Sequence, residues 1–287
     1  MPQTINTNLN SLNAQRNLGT SQSSLAMSMQ RLSSGLRVNS AKDDAAGLAI
    51  AERMTAQVRG MSTSVRNAND GISMAQTAEG ALGKVSDSLQ RMRELSVQAA
   101  NATNSDSDKN SLDKEFGELA KEIQRVLGGT SFNGLHMLGA DAKAFQFQVG
   151  ANTSSNDAID ITTTNLTTDA TVTAVAGTDN TGAGRAVIDS TATAASIKTV
   201  IDNIDLAIST VSDQRAVMGA SQSRFDSVIA NLQTSVENQT AARSRIMDTD
   251  FAAETANLSR SQILQQAGNA MVAQANQLPQ QVLTLLR

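Results

Sequence analysis

The sequence predicts a mainly α-helical protein of long antiparallel, coiled-coil-like rods, with a small β-hairpin region and a short variable insert. Three observations carry this reading. Apolar residues recur in alternating steps of three and four over two long stretches. Both ends of the chain carry helical stripes with almost no charge. Phe is the only aromatic residue, at 6 copies, with no Trp, Tyr or Cys. A core without large aromatics must be built from Leu, Ile, Val, Met and Ala, which suits close-packed helices.

The first rod starts near Ser40 and Asp43, a capping-box-like pair just ahead of Ala45. From Val58 its apolar or small positions run Met61, Val65, Ala68, Ile72, Ala75, Ala78, Leu82, Val85, Leu89 and Met92, with one slip after Ala75. That is a coiled-coil-like seam. A helix from Ala45 to Ala100 would be roughly 80 Å long at about 1.5 Å per residue. The polar turn NSDSD from Asn104 leads into a shorter helix with the stripe Leu112, Phe116, Leu119, Ile123 and Val126, closed by Gly128 and Gly129. The two helices form an expected antiparallel hairpin.

Phe145, Phe147 and Val149 then alternate with Gln146 and Gln148, and Ile159 and Ile161 flank Asp160, the signature of a β-hairpin. Residues 165–193 are rich in Thr, Ala, Asp and Gly, with Arg185 their only basic residue, so a weakly packed surface insert is expected. Helical periodicity returns with Ile197, Ile201, Ile204, Ile208, Val211, Met218, Phe225, Ile229, Leu232 and Val236, where Arg215 and Gln222 take the two missing seam positions. This second rod can pack on the first.

The ends are unusual. Residues 1–30 hold one charged side chain, Arg16, and Ser261–Leu286 hold none. The N-terminal stripe is Leu18, Leu25, Met29, Leu32 and Leu36; the C-terminal one is Leu264, Ala267, Met271, Ala275, Leu278, Val282 and Leu285. Soluble helices normally show charge on the outer face. Gln, Asn, Ser and Ala on the other faces suit a helix enclosed by protein, because buried charge is costly while amides can pair. One pair of helices cannot enclose itself, so further copies are implied, and a heterologous contact repeated without closure gives a filament. The expected division is residues 1–40 with 245–287 as a terminal helical domain, 41–164 with 195–244 as the rod domain with its hairpin, and 165–194 as the insert.

Several function classes are set aside. A net charge of -4, without basic clusters interleaved with aromatics, offers no nucleic-acid footprint. No apolar run is long enough to span a bilayer, so no membrane insertion is expected. The N-terminal segment lacks a charged n-region and apolar core, so export would need a dedicated machine. Absent cysteines exclude disulfides and thiolate metal sites. His136 is the lone histidine, and an HExxH zinc site needs two. Asp43 and Asp44 sit where a first helical turn favours carboxylates, so capping is expected in place of acid/base chemistry. No enzymatic role and no cofactor are expected.

Longer strings of sequence go further. RLSSGLRVNSAKDDAAGLAIA from Arg31, RNANDGISMAQTAEGAL from Arg66, LQRMRELSVQAAN from Leu89, ARSRIMDTDFAAETANLSRSQILQQAG from Ala242 and AQANQLPQQVLTLLR from Ala273 resemble bacterial flagellin. The resemblance covers residues 1 to 150 and 195 to 287. It implies a subunit that polymerises with itself into the flagellar filament for motility. It further implies export through the flagellar type III apparatus, a cytoplasmic export chaperone on the C-terminal segment, and contacts with filament cap and hook-junction proteins. For the host receptor TLR5 it points to Gln90, Arg91 and Leu95, with Glu115 on the following helix. For the segment sensed by cytosolic inflammasome receptors it points to Val282, Leu283, Leu285 and Leu286. Taken alone, Arg91 and Glu115 also read as ordinary solvated charges. Leu95 lies beside the seam position Ser96, so a two-helix seam would leave it displaced toward the surface. A hook-filament junction protein, or another type III secreted coiled-coil protein, shares the architecture and is the alternative.

Overall fold

The computed structural model describes residues 7–285, with side chains described as far as Gln277. In chain order the elements are α1 (Leu9–Ser34), α2 (Ala45–Ala99), α3 (Asp106–Gly129), β1 (Ser131–Phe132), β2 (Leu135–His136), β3 (Ala144–Gln148), β4 (Ala158–Thr162), α4 (Ala170–Ala176), α5 (Ala194–Met247) and α6 (Phe251–Leu285). They divide into two compact units, residues 59–236 and residues 1–58 with 237–287.

In the 59–236 unit the predicted seam of α2 is the core. Met61, Ala68, Ala75, Ala78, Leu82, Val85, Leu89 and Met92 are all buried, and from α5 so are Ile197, Ile204, Val211, Met218 and Phe225. The two helices run antiparallel, since Arg93 binds Asp205 at 2.6 Å, Arg215 reaches Glu79 at 3.5 Å and Gly71 faces Phe225. Arg215, at a missing seam position, thus sits on the edge and reaches across to a carboxylate. Gln222, at the other, is half-buried with an unpartnered amide nitrogen. At Gly71 the approach is so close that a Cβ would stand 2.8 Å from the Phe225 ring. The same ring meets Phe147 of β3 edge-on, 5.7 Å between centroids at 85°, which docks the hairpin on the helices.

α3 begins with a complete capping box, Ser105 and Asp108 serving each other's backbone N–H groups. β3 and β4 pair antiparallel in the register expected from their alternation, Phe145 opposite Ile161 and Phe147 opposite Ile159. A second small hairpin, β1 with β2, was not expected. It turns on Asn133 and Gly134, both with positive φ (50° and 81°), the pairing that a two-residue hairpin turn requires. α2 itself is capped by Asp44, whose carboxylate accepts from the Gly47 N–H at 2.8 Å, while Asp43 folds back onto Ser40 and Asn39 in the preceding turn.

The expectation of a weakly packed insert is corrected. Leu166, Val172, Val175, Ala176 and Ile188 are fully buried in the same core as α2, α3 and α5. Composition misleads here because a few irregularly spaced apolar residues suffice when the partner surface already exists. α3 supplies it: besides its stripe it buries Asp113, Gly117, Ala120, Gln124 and Leu127.

In the other unit α1 and α6 run antiparallel. Asn8 donates to the Ala275 carbonyl at 2.7 Å, Ser11 donates to the Asn276 amide oxygen at 2.8 Å, Gly268 lies against Leu18, and Arg31 faces Glu254 at 3.9 Å. The turns that follow α1 and α5 are stitched together, with Arg37 N–H donating to Met247 O at 2.6 Å and Thr249 N–H to Gly35 O at 3.0 Å. Asp250 caps α6 by accepting from Ala252 and Ala253.

Candidate functional site

The inner face of the α1–α6 pair is lined by small and polar side chains: Ser11, Ser28, Ser261, Glu254 and Ala275 are buried. Several large apolar side chains stay exposed, while Leu18, Leu25, Leu32 and Leu258 are half-buried. Leu9, Leu12, Met27, Met29, Phe251, Ile263, Leu264 and Met271 are all exposed. Of the C-terminal site residues named from sequence, Leu264 and Met271 therefore belong to an open apolar face, and both line a groove of about 540 Å³ beside Leu18 and Gly268. Leu278, Val282, Leu283 and Leu285 lie outside the described side chains, and Leu286 outside the described residues.

A second cluster lies on the rod flank. Arg91 donates to Glu115 across the α2–α3 pair at 2.9 Å and to Glu94 on its own helix at 2.9 Å, with Gln90 exposed alongside. The expected convergence of Arg91 and Glu115 is present. Leu95 is not part of that surface: it is fully buried. The seam argument assumed a single partner helix, whereas α2 has two. α5 covers the side of Arg93, and α3 covers the side carrying Arg91 and, one turn on, Leu95.

Sequence reading missed a third cluster. Arg185 donates to both oxygens of buried Asp113 at 2.9 and 2.6 Å, and Asp113 also accepts from the Ile188 N–H at 3.0 Å. The guanidinium lies over Phe116, 6.0 Å from the ring centre, and packs so closely on Gly117 that a Cβ there would come within 3.1 Å of Nε. Nearby, Gln124 donates to the Gly177 carbonyl at 2.5 Å. No local spacing announces a pair 72 residues apart. Burial pushes the Asp113 carboxyl up, but hydrogen bonds from Arg185 and Ile188 outweigh it and hold the group below its ordinary value of 3.8. A lowered carboxyl contributes stability that is present above the unfolded value and lost as pH falls through the folded one. Arg185→Ala strands a buried carboxylate and is expected to cost about 3 kcal/mol near neutral pH, the low end for a broken buried pair. The gap to the parent should close in strong acid, where protonated Asp113 no longer needs a cation. Urea denaturation at several pH values checks both; a gap independent of pH would deny the pair this role.

The chain matches the family "Bacterial flagellin N-terminal helical region" over residues 5–143 and "Bacterial flagellin C-terminal helical region" over residues 201–286. A flagellin of Halalkalibacterium halodurans is 46% identical over 99% of both chains, and one of Bacillus subtilis is 41% identical over 99% of both. The chain belongs to the bacterial flagellin family. It is a structural, non-enzymatic subunit that polymerises with copies of itself into the extracellular flagellar filament. Among solved structures, a flagellar hook-associated protein from Vibrio parahaemolyticus aligns over 72% of this chain and all of its own, with TM-score 0.60 at 14% identity. That likeness is one of fold. Full-length identity to flagellins decides against the hook-junction alternative.

The flagellin family matches leave residues 144–200 uncovered, and those residues hold β3, β4, α4 and, of the third cluster, Gly177, Arg185 and Ile188. No helix among the described residues is long and apolar enough to cross a membrane, and no group of potential ligands among them would hold a metal ion.

Proposed function

We propose that the open apolar face of α1 and α6 is the surface by which one subunit joins the next, with residues 1–40 and 245–287 forming the filament-core domain. Its chief support is the inversion of the usual pattern: serines face inward while Leu264, Met271 and Ile263 face out. Burying such a face among copies stabilises each side chain by about 1.5–3 kcal/mol. Residues 41–164 with 195–244 would form the neighbouring rod domain, and 165–194 its outer segment. Electron microscopy of protein carrying Leu264→Asp tests the face, with absence of filaments expected. The C-terminal segment, whose sequence carries Leu278, Val282, Leu283, Leu285 and Leu286, is a suitable ligand for an export chaperone before assembly and for inflammasome receptors afterwards. Cap and hook-junction proteins would meet it at the two ends of the filament.

The Gln90, Arg91 and Glu115 patch supports a second reading, recognition of the monomer by host TLR5. It offers amide, cation and anion together on the rod surface, with buried Leu95 supporting it from beneath. Arg is a frequent interface anchor, and its truncation at a hot spot costs about 2 kcal/mol or more. Arg91→Ala is expected to lower receptor potency of purified monomer by at least about tenfold in a reporter-cell assay. Leu95→Ala is a poor probe, because a cavity in the core costs about 2–5 kcal/mol by itself. Unchanged potency of a folded Arg91→Ala chain would leave Arg91 and Glu115 as a solvated ion pair.

A further inference from the structure

We propose that Met27, Met29 and Met271 are oxidation sites, and that their conversion to sulfoxides in the free subunit blocks its assembly; the second half rests on the assembly face proposed above. Thioethers are the main target for a two-electron oxidant in this chain, which has 11 Met and no Cys, Trp or Tyr. Met1 lies outside the described residues, and the fold divides the other ten thioethers sharply. Met61, Met74, Met92, Met137 and Met218 are buried in the 59–236 core, and Met54 and Met247 are half-buried. Met27, Met29 and Met271 are 46%, 57% and 62% exposed. All three stand on α1 or α6, and Met27 and Met271 line grooves that they share with Leu264.

The oxidant is a hydroperoxide. A sulfur lone pair takes the distal peroxide oxygen; an S–O bond forms, the O–O bond breaks, and with proton transfer the alcohol leaves, or water where the oxidant is hydrogen peroxide. Sulfur is oxidised by two electrons and the peroxide is reduced. The product replaces a flexible apolar tip by a polar one with a strong acceptor oxygen. In the lone subunit water solvates that oxygen and the helices persist. Between copies such an oxygen on the assembly face must be desolvated without a partner. Oxidation therefore reads out as lost assembly with the subunit's own fold kept, and subunits already within a filament are shielded.

The test treats purified subunits with hydrogen peroxide and follows sulfoxides by peptide mass spectrometry, folding by circular dichroism, and assembly by sedimentation. Sulfoxides are expected at Met27, Met29 and Met271 ahead of the buried methionines. The critical concentration for assembly should rise by at least about tenfold, as burial of unsatisfied polar groups demands. Reduction by a pair of sulfoxide reductases, one per epimer, should restore it. A chain with Met27→Leu, Met29→Leu and Met271→Leu, changes that nearly conserve volume, should assemble equally with and without peroxide. Normal assembly of protein oxidised at all three sites would overturn the inference. So would equal peroxide sensitivity of the triple variant, or failure of the reductases to restore wild-type assembly. Unoxidised Leu264→Asp separates the two ideas: if it assembles, the face is wrong, whereas if it fails while oxidised wild type assembles, only the oxidation step is wrong.

Discussion

A chain carrying Leu264→Asp and Met271→Asp is expected to form no filaments at any accessible concentration, with residues 59–236 as stable as in the parent. Both side chains are exposed in the isolated chain, so water solvates the new carboxylates and the subunit loses little. Assembly changes the sign of the balance. An unpaired carboxylate moved between packed helices costs several kcal/mol, and two of them two turns apart on α6 also repel one another. The parent gains about 1.5–3 kcal/mol from burying each apolar side chain at the same places. Sedimentation and electron microscopy report assembly, while thermal unfolding of the rod reports integrity. Filaments of normal length from this variant would show that α6 faces solvent in the polymer.

Val175→Asp is the second change expected to have a large effect, and it acts on the other unit. Val175 is fully buried on α4, its carbonyl accepting from the Ala186 N–H at 3.1 Å. Burying a carboxylate there without a partner is expected to cost about 4 kcal/mol or more, a large share of a typical domain's 5–15 kcal/mol. Ile188→Ala, which removes apolar volume without adding charge, is expected to cost about 2–4 kcal/mol. Chemical denaturation followed by far-ultraviolet circular dichroism measures both. A segment only draped over the surface would tolerate either change, so wild-type stability of Val175→Asp would restore the weakly packed insert read from composition.

The parts of this fold legible in the sequence are those in which one residue's environment repeats. The α2 and α5 seams could be read because the same partner lies opposite each successive turn, and the β3–β4 register followed from strict alternation around Phe147 and Ile159. What failed depended on a third body. Leu95 is buried because α3 covers a flank that a two-helix seam leaves open. Residues 165–194 are ordered by α3 through Asp113 and Gln124, whose spacing along the helix says nothing about Arg185 or Gly177. At the ends, periodicity identified the apolar stripe containing Leu264 and Met271 correctly. It did not reveal that α1 takes the serine positions together with Ala275 of the stripe, leaving Leu264 and Met271 exposed in a groove beside it. Hydrophobic spacing records that a face will be covered, and is silent on which molecule covers it.

The close approach of Gly71 to Phe225 constrains the order in which this protein can change. A methyl group at position 71 must displace an aromatic ring that is also wedged against Phe147, so Gly71→Ala alone forces α2 and α5 apart. The same mutation becomes harmless once position 225 holds a smaller side chain, and the two effects are then non-additive. Descendants of this sequence must therefore shrink the ring before they enlarge the glycine. A lineage that has taken the second step cannot regain the phenylalanine without first undoing it, so this helix crossing works as an evolutionary ratchet.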